Sequence, residues 1–308
     1  MMLPETFDLR KTPVTLIHHA AHCAHDTPPG SLSALEGCLK GDSAVIEIDV
    51  IPLGDGSFAL LHDQNLEVDT NGRGKAPQMK RDRVQNLYYK VNGEVSQEKV
   101  GFLEDAIDLF KAYPKTQRLQ LDLKPFAPLT RAILSDFLAL LAPVKDRILV
   151  TSVADWALRS LANFAPDLFL GFDPLLYIDI AGEEPRPEGI PPFRVGAYGL
   201  LDDHPLSAYQ WGPLGDYLAA RAGALLVQVP KGCAWFVRAV LLQEALEAGF
   251  DWIEFLHRQG STVDGWTFDV SQPDQIKLAQ SLLDHGIDFL TTDTPAQLAT
   301  YLPAKTIF

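Results

Sequence analysis

Little in this chain would staple it, anchor it or draw it to nucleic acid. Its three cysteines, Cys23, Cys38 and Cys233, form no CxxC pair, so their spacing holds no disulfide framework. No apolar run approaches the ~18 residues of a membrane span, so no membrane span is expected. The opening residues MMLPETFDLRKTP have no apolar central segment, so no signal peptide is expected and a cytoplasmic location is. Positive charge is scarce: 26 Lys and Arg stand against 40 Asp and Glu, a net charge of -14. A surface that acidic repels phosphate backbones, which argues against a nucleic-acid partner. A phosphorylated ligand would need a local reversal of sign, and a bound divalent cation supplies one. No repeat of fixed period is visible, which argues against solenoids.

What is present is a folded composition, 47% hydrophobic and 21% charged over 308 residues. Short apolar, β-branched runs recur at Val14 to His18, Ala44 to Val50, Arg118 to Lys124, Arg147 to Ser152, Asp167 to Phe172, Leu225 to Val229, Val263 to Val270 and Ile287 to Thr292. Helix-like stretches lie between them: Ser31 to Lys40, Leu103 to Ala112, Thr130 to Leu141, Trp156 to Phe164, Ala234 to Ala248 and Pro273 to Asp284. Ser31 can cap the first, whose apolar face is Leu32, Leu35 and Leu39. Strands alternating with helices predict an α/β chain closed as a (β/α)8 TIM barrel, one domain over residues 1–308.

The alternation breaks between residues 51 and 102, which reads as an insertion on the barrel rim. It opens with IEIDVIPLGDGSFALLHD, whose Asp55-Gly56 is a two-residue hairpin signal. With those two as the loop, Gly54 faces Ser57 and Asp49 faces His62. Glu47, Asp49 and His62 would then share one sheet face, a placement that a one-residue slip would undo. The segment Ala181 to Phe193 reads as a second long loop.

Active sites of such barrels gather at the C-terminal strand ends. There the expected arrangement brings together Glu47, Asp49 and Asp122, three carboxylates that repel one another without a cation. Oxygen-only donors favour a hard ion, Mg²⁺ or Ca²⁺. Histidines beside it could serve as general acid and base. The tract HHAAHCAHD offers a zinc alternative through His18, His19, His22, Cys23 and His25, although structural zinc ligands normally come from separate segments.

Taken together, these segments resemble the glycerophosphodiester phosphodiesterase family, from Leu16 to Leu298. Its opening His-Arg-Gly is similar to His18-His19-Ala20, and its E-x-D-V to Glu47-Ile48-Asp49-Val50. Its hairpin, His-Asp pair and Thr-Asn-Gly resemble Asp55-Gly56, His62-Asp63 and Thr70-Asn71-Gly72. Leu103-Glu104-Asp105, Asp122-Leu123-Lys124, Trp266-Thr267 and Thr292-Asp293-Thr294-Pro295 follow in the family's order. The resemblance implies a metal-dependent barrel in which His18 and His62 are the acid/base pair. It implies Glu47, Asp49 and Asp122 as ligands of one divalent cation, and His19, Lys124 and Trp266 as substrate or phosphate contacts.

The implied reaction is hydrolysis of a small-molecule phosphodiester, a glycerophosphodiester to sn-glycerol 3-phosphate and an alcohol. Alternatives are a phospholipase D-like or cyclising lyase activity on a lipid head group, or a non-catalytic barrel that binds a phosphometabolite. The chain departs from the family's pattern where His19 stands for an Arg, Pro29 for a Glu, Val68 for an Arg and Asp122 for a Glu. Imidazole cannot fork onto phosphate as guanidinium does, so the substrate clamps differ from the family's.

Overall fold

The computed structural model describes residues 13–22, 27–41, 43–180, 200–202, 212–302 and 306–307. The long loop expected from Ala181 to Phe193 lies outside them, as do Cys23 and His25. In chain order the strands are β1 (Thr15–His18), β2 (Val45–Pro52), β3 (Phe58–Ala59), β4 (Tyr88–Val91), β5 (Glu94–Lys99), β6 (Arg118–Leu123), β7 (Ile148–Ser152), β8 (Phe169–Phe172), β9 (Ile178–Ile180), β10 (Leu200–Asp202), β11 (Ala234–Arg238), β12 (Val263–Phe268) and β13 (Phe289–Thr292). Eight of them form a parallel sheet ordered β1-β13-β12-β11-β8-β7-β6-β2, and β2 pairs back onto β1. The sheet is closed, a TIM barrel as expected.

Helices connect the barrel strands. They are α1 (Leu32–Lys40), the short α2 (Leu66–Asp69) and α3 (Arg81–Val84), α4 (Leu103–Ala112), α5 (Arg131–Leu141), α6 (Asp155–Phe164), α7 (Leu214–Gln228), α8 (Ala239–Glu247), α9 (Trp252–Arg258), α10 (Pro273–Asp284) and α11 (Pro295–Ala299). Ser31 caps α1 as expected, its hydroxyl accepting from the Ala34 N–H at 3.2 Å. Such a cap stabilises a helix by about 1 kcal/mol.

The sixth barrel strand corrects the sequence reading. The run Leu225 to Val229 is no strand but the end of α7, and the strand is Ala234–Arg238, which the pattern had placed in a helix. Burial shows why. Leu218, Ala222 and Leu225 are buried at helical spacing, whereas Val227 is 86% exposed, so the apolar run is one helical stripe and its flank. Pro230 and Gly232, the latter at φ +73°, then break the chain before the aromatic, β-branched AWFVR. The helix α9, capped by Asp251, was not anticipated.

Alternate residues of each strand build two separate interiors. Leu16, Ile46, Ile48 and Val50 pack outward with Leu35, Cys38 and Leu39 of α1 in the main core. Ile17, Val45, Leu149 and Phe236 fill the lower barrel instead. Phe236 needs a glycine beside it: a Cβ on Gly171 would lie 2.6 Å from its ring and 2.7 Å from the Thr151 methyl.

The excursion between β2 and α4 has an apolar cluster of its own, including Ile51, Leu61, Leu66, Val84, Tyr89 and Phe102. Buried Tyr89 ties it together by donating to the Leu60 carbonyl at 2.7 Å and accepting from the Gly101 N–H at 3.1 Å. The expected hairpin exists, but in a shifted register. Ile51 faces Ala59, Pro52 faces Phe58, and the Leu53 N–H donates to the Ser57 carbonyl at 2.8 Å. The loop is therefore Gly54-Asp55-Gly56, with Gly56 left-handed at φ +85°, and not the two-residue Asp55-Gly56. Asp49 does not face His62 across the ladder.

Candidate active site

The acidic centre follows from strand parity and register. On β2, Val45, Glu47 and Asp49 share one face, and β6 sets Arg118, Gln120 and Asp122 opposite them. Ile17 pairs with Val45, so this face looks into the barrel. Toward the C-terminal ends the carboxylates meet: one oxygen from each of Glu47, Asp49 and Asp122 lies within 4.8 Å of the others. Glu47 and Asp49 are buried and Asp122 is half-buried. Burial, with the charge of Asp49 beside it, pushes the Glu47 carboxyl up to about 8. Burial and the Asp49 charge raise Asp122 too, against the pull of Lys124. A buried acidic trio of this kind fits a hard divalent cation, whose charge would remove both penalties.

Lys124 reaches the same carboxylates, its ammonium 2.8 Å from Asp49 Oδ1 and 3.4 Å from Asp122 Oδ2. Burial alone would lower its pKa, but those two charges outweigh it and hold the amine protonated.

The two adjacent histidines part company. His18 pairs with Ile46 and Thr292 on the outward face of β1, where its Nδ1 lies 3.4 Å from Ser43 Oγ and 3.8 Å from Cys38 Sγ. Burial lowers its pKa to about 4. His19 instead stands at the barrel mouth, with Nδ1 2.7 Å from Asp293 Oδ1. Burial pulls its pKa down, but the Asp293 hydrogen bond and the charges of Glu47, Asp293 and Asp49 outweigh that and raise it to about 9. The expectation that placed His18 over the carboxylates is corrected here: strand parity turns it away and leaves His19 at the mouth.

The turn after His19 contributes an amide. Ala20 and Ala21 are left-handed, φ 46° and 51°, which costs a non-glycine residue about 1–2 kcal/mol. That bend aims the Ala20 N–H at Glu47 Oε2, 2.7 Å away. Strain of this sort tends to cluster at functional sites.

Above the carboxylates lies a cleft of about 930 Å³ whose walls include His19, Pro29, Asp49, His62, Val68 and Asp293. His62 reaches it from a loop: the Leu60 N–H bonds Gly101, and Asp69 accepts from the His62 and Asp63 amides at 3.1 and 2.8 Å. The exposed His62 ring holds Asp63 Oδ2 at 2.9 Å through Nδ1. Trp266, expected as a substrate wall, is not among the cleft's lining residues and packs against the lower-barrel cluster. Of the zinc alternative's residues, His18 and His19 diverge, one on the outward face of β1 and the other at the barrel mouth, while Cys23 and His25 lie outside the described residues.

Sequence reasoning passed over Asp293 and Asp69. Asp293 had a signal: barrel closure pairs His18 with Thr292, so the residues after them meet at the rim. Asp69 had none, because its role depends on how the insertion folds.

No protein-family model matches the chain. Over 88 residues it is 25% identical to glycerophosphodiester phosphodiesterase 1 of Bos taurus and of Mus musculus, a match that spans 27% of the chain and 27% of those relatives' length. Among solved structures, a glycerophosphodiester phosphodiesterase from Parabacteroides distasonis superposes with a TM-score of 0.64 at 16% identity, covering 94% of this chain and 97% of that one. A phosphodiesterase from Oleispira antarctica, in complex with its product sn-glycerol-3-phosphate, superposes at 0.62 with 19% identity, covering 94% and 96%. One from Silicibacter pomeroyi gives 0.62 at 18%, covering 94% and 93%. At such identities the likeness is one of architecture: over nearly all its length this chain has the fold of the glycerophosphodiester phosphodiesterases.

Proposed function

We propose that the chain is a divergent glycerophosphodiester phosphodiesterase, a phosphoric diester hydrolase that converts a glycerophosphodiester to sn-glycerol 3-phosphate and an alcohol. The observation that carries this reading is the convergence of Glu47, Asp49 and Asp122 oxygens within 4.8 Å, under a cleft flanked by His19 and His62. The product held by the Oleispira neighbour supports the substrate class.

Glu47, Asp49 and Asp122 would hold one divalent cation, Mg²⁺ or Ca²⁺, which when bound would offset charge on a non-bridging phosphate oxygen. His19 is the acid. The Asp293 hydrogen bond and charge favour its protonated form, and with Nδ1 fixed by Asp293 its Nε2 is left to protonate the departing alkoxide. His62 is the base. Its Nδ1 is held by Asp63, so Nε2 is left to take a proton from the nucleophile, a water or a neighbouring substrate hydroxyl. Asp293 positions His19 and is not itself in the reaction path.

No arginine lines the cleft among the described residues, so phosphate binding rests on the cation, His19 and Lys124. The test is release of glycerol 3-phosphate from glycerophosphocholine and glycerophosphoethanolamine with Mg²⁺ or Ca²⁺ and with chelator. Cation-dependent release supports the reading. A cyclic phosphate seen by ³¹P NMR as the end product would assign the lyase alternative, and no turnover of any diester would leave a binding barrel.

A further inference from the structure

The other end of the barrel holds a second cavity of about 780 Å³, far from the carboxylates. It opens at the N-terminal ends of the strands, and its inner wall is the lower-barrel cluster of Ile17, Leu149, Phe236 and Phe289. This size lies within the ~300–1,000 Å³ typical of small-molecule sites. Its charged side chains are Arg118, Lys231 and Asp167. Arg118 follows the inward face of β6 that also carries Gln120 and Asp122, so its guanidinium belongs to this mouth. It stacks 4.0 Å over the exposed Phe169 ring, is half-buried, and among the described residues meets no carboxylate within salt-bridge distance. Lys231 stands on the same rim, and the carboxylate there, Asp167, is already paired with Lys145.

A half-buried guanidinium without an anion is a costly arrangement that a ligand anion would relieve. That it sits over an apolar floor makes this mouth complementary to an anion with an apolar body, a local reversal of sign on a chain of net charge -14. We propose that the N-terminal mouth is a second ligand site, independent of the reaction at the other end. It would take an amphiphile with one anionic head, a carboxylate or a phosphomonoester at Arg118, and an alkyl chain against Ile17, Leu149 and Phe236.

The test is calorimetric titration of the full chain with dodecanoate, dodecyl phosphate and dodecyltrimethylammonium, each below its micellar concentration. One saturable site for the two anions is expected, with the cation at least tenfold weaker. Arg118→Met should weaken both anions at least tenfold. Ala234→Leu, which fills the cavity and leaves the charge, should weaken the alkyl chain's contribution for all three. Glycerol 3-phosphate should not displace either anion. Preference between carboxylate and phosphate identifies the natural head group. Absence of a saturable site, equal binding of cation and anions, displacement by glycerol 3-phosphate, or indifference to both substitutions would overturn the proposal.

Discussion

The two ends of this barrel are made from the same strands, often from residues two apart on one face, yet they carry opposite chemistry. At the C-terminal end of β2 and β6 the inward positions are Glu47, Asp49 and Asp122; at the N-terminal end they are Val45 and Arg118. One end concentrates negative charge until it calls for a cation, and the other has an apolar floor with a guanidinium that no carboxylate among the described residues pairs. The contrast shows that face alone does not make a site. A residue must face inward and also lie at the correct height, and a slip of one or two residues exchanges reactive for structural.

The largest effects are expected at the acidic end. Glu47→Gln together with Asp49→Asn should abolish cation-dependent turnover while raising the melting temperature of the cation-free protein. The double variant removes the penalty of burying the Glu47 carboxyl beside Asp49, which the cation-free protein meets by holding a proton there. Calorimetry with and without chelator, beside the diester assay, reads both signs. A lower melting temperature in the cation-free double variant would mean that the trio is held for stability and not for a cation.

The adjacent histidines sharpen the contrast within two residues. His19→Ala should cost about 10²–10⁴-fold in turnover, the usual worth of a general acid. His18→Leu, on the outward face, should leave kcat within a few-fold once circular dichroism confirms the fold. Equal losses in both variants would break the parity argument on which the assignment of His19 rests.

At the apolar end the expected effect is on stability. Leu149→Ala removes a buried side chain of the lower-barrel cluster and should cost about 2–5 kcal/mol. Denaturant unfolding measures this, and kcat/KM for the diester should stay near that of the parent. A large loss of activity would show that the two ends are mechanically coupled.

How far these ends were legible in sequence depends on the range of the signal. The barrel was readable because β-branched runs and amphipathic stretches are local, and seven of the eight strands lie where those runs fall. The sixth was misplaced because Leu225 to Val229 has a strand's composition but a helix's burial, which only packing decides. The carboxylate trio was readable because period-two alternation fixes the face of Glu47 and Asp49. The hairpin register was not, since Gly56 in a left-handed conformation serves a three-residue loop as well as a two-residue one. His18 was misplaced because a motif match supplies spacing but not parity. Asp293 required the closure of the barrel to be taken literally, last strand against first.

The smallest expected effect is also diagnostic of the polar end, because the groups that set its sign act in the same direction. In the cation-free protein His19 is raised from 6.5 to about 9, so its stabilising contribution is whole below pH 6.5 and is lost as pH climbs through about 9. Glu47 is raised from 4.5 to about 8, so the folded protein holds an extra proton there and loses stability as pH rises across that interval. Burial raises Asp264 from 3.8 to about 8 as well, so all three slope downward between pH 6.5 and 8. Melting temperature should fall over this range by a few degrees. Asp293→Asn should flatten the part of the fall that persists above pH 8, where His19 alone contributes. Saturating Mg²⁺ or Ca²⁺ should remove the part due to Glu47, since a bound cation favours the ionised carboxylate. The lower mouth, where Arg118 stays charged throughout, should add no slope, so a fall that survives both the cation and Asp293→Asn is expected from Asp264, deeper in the barrel.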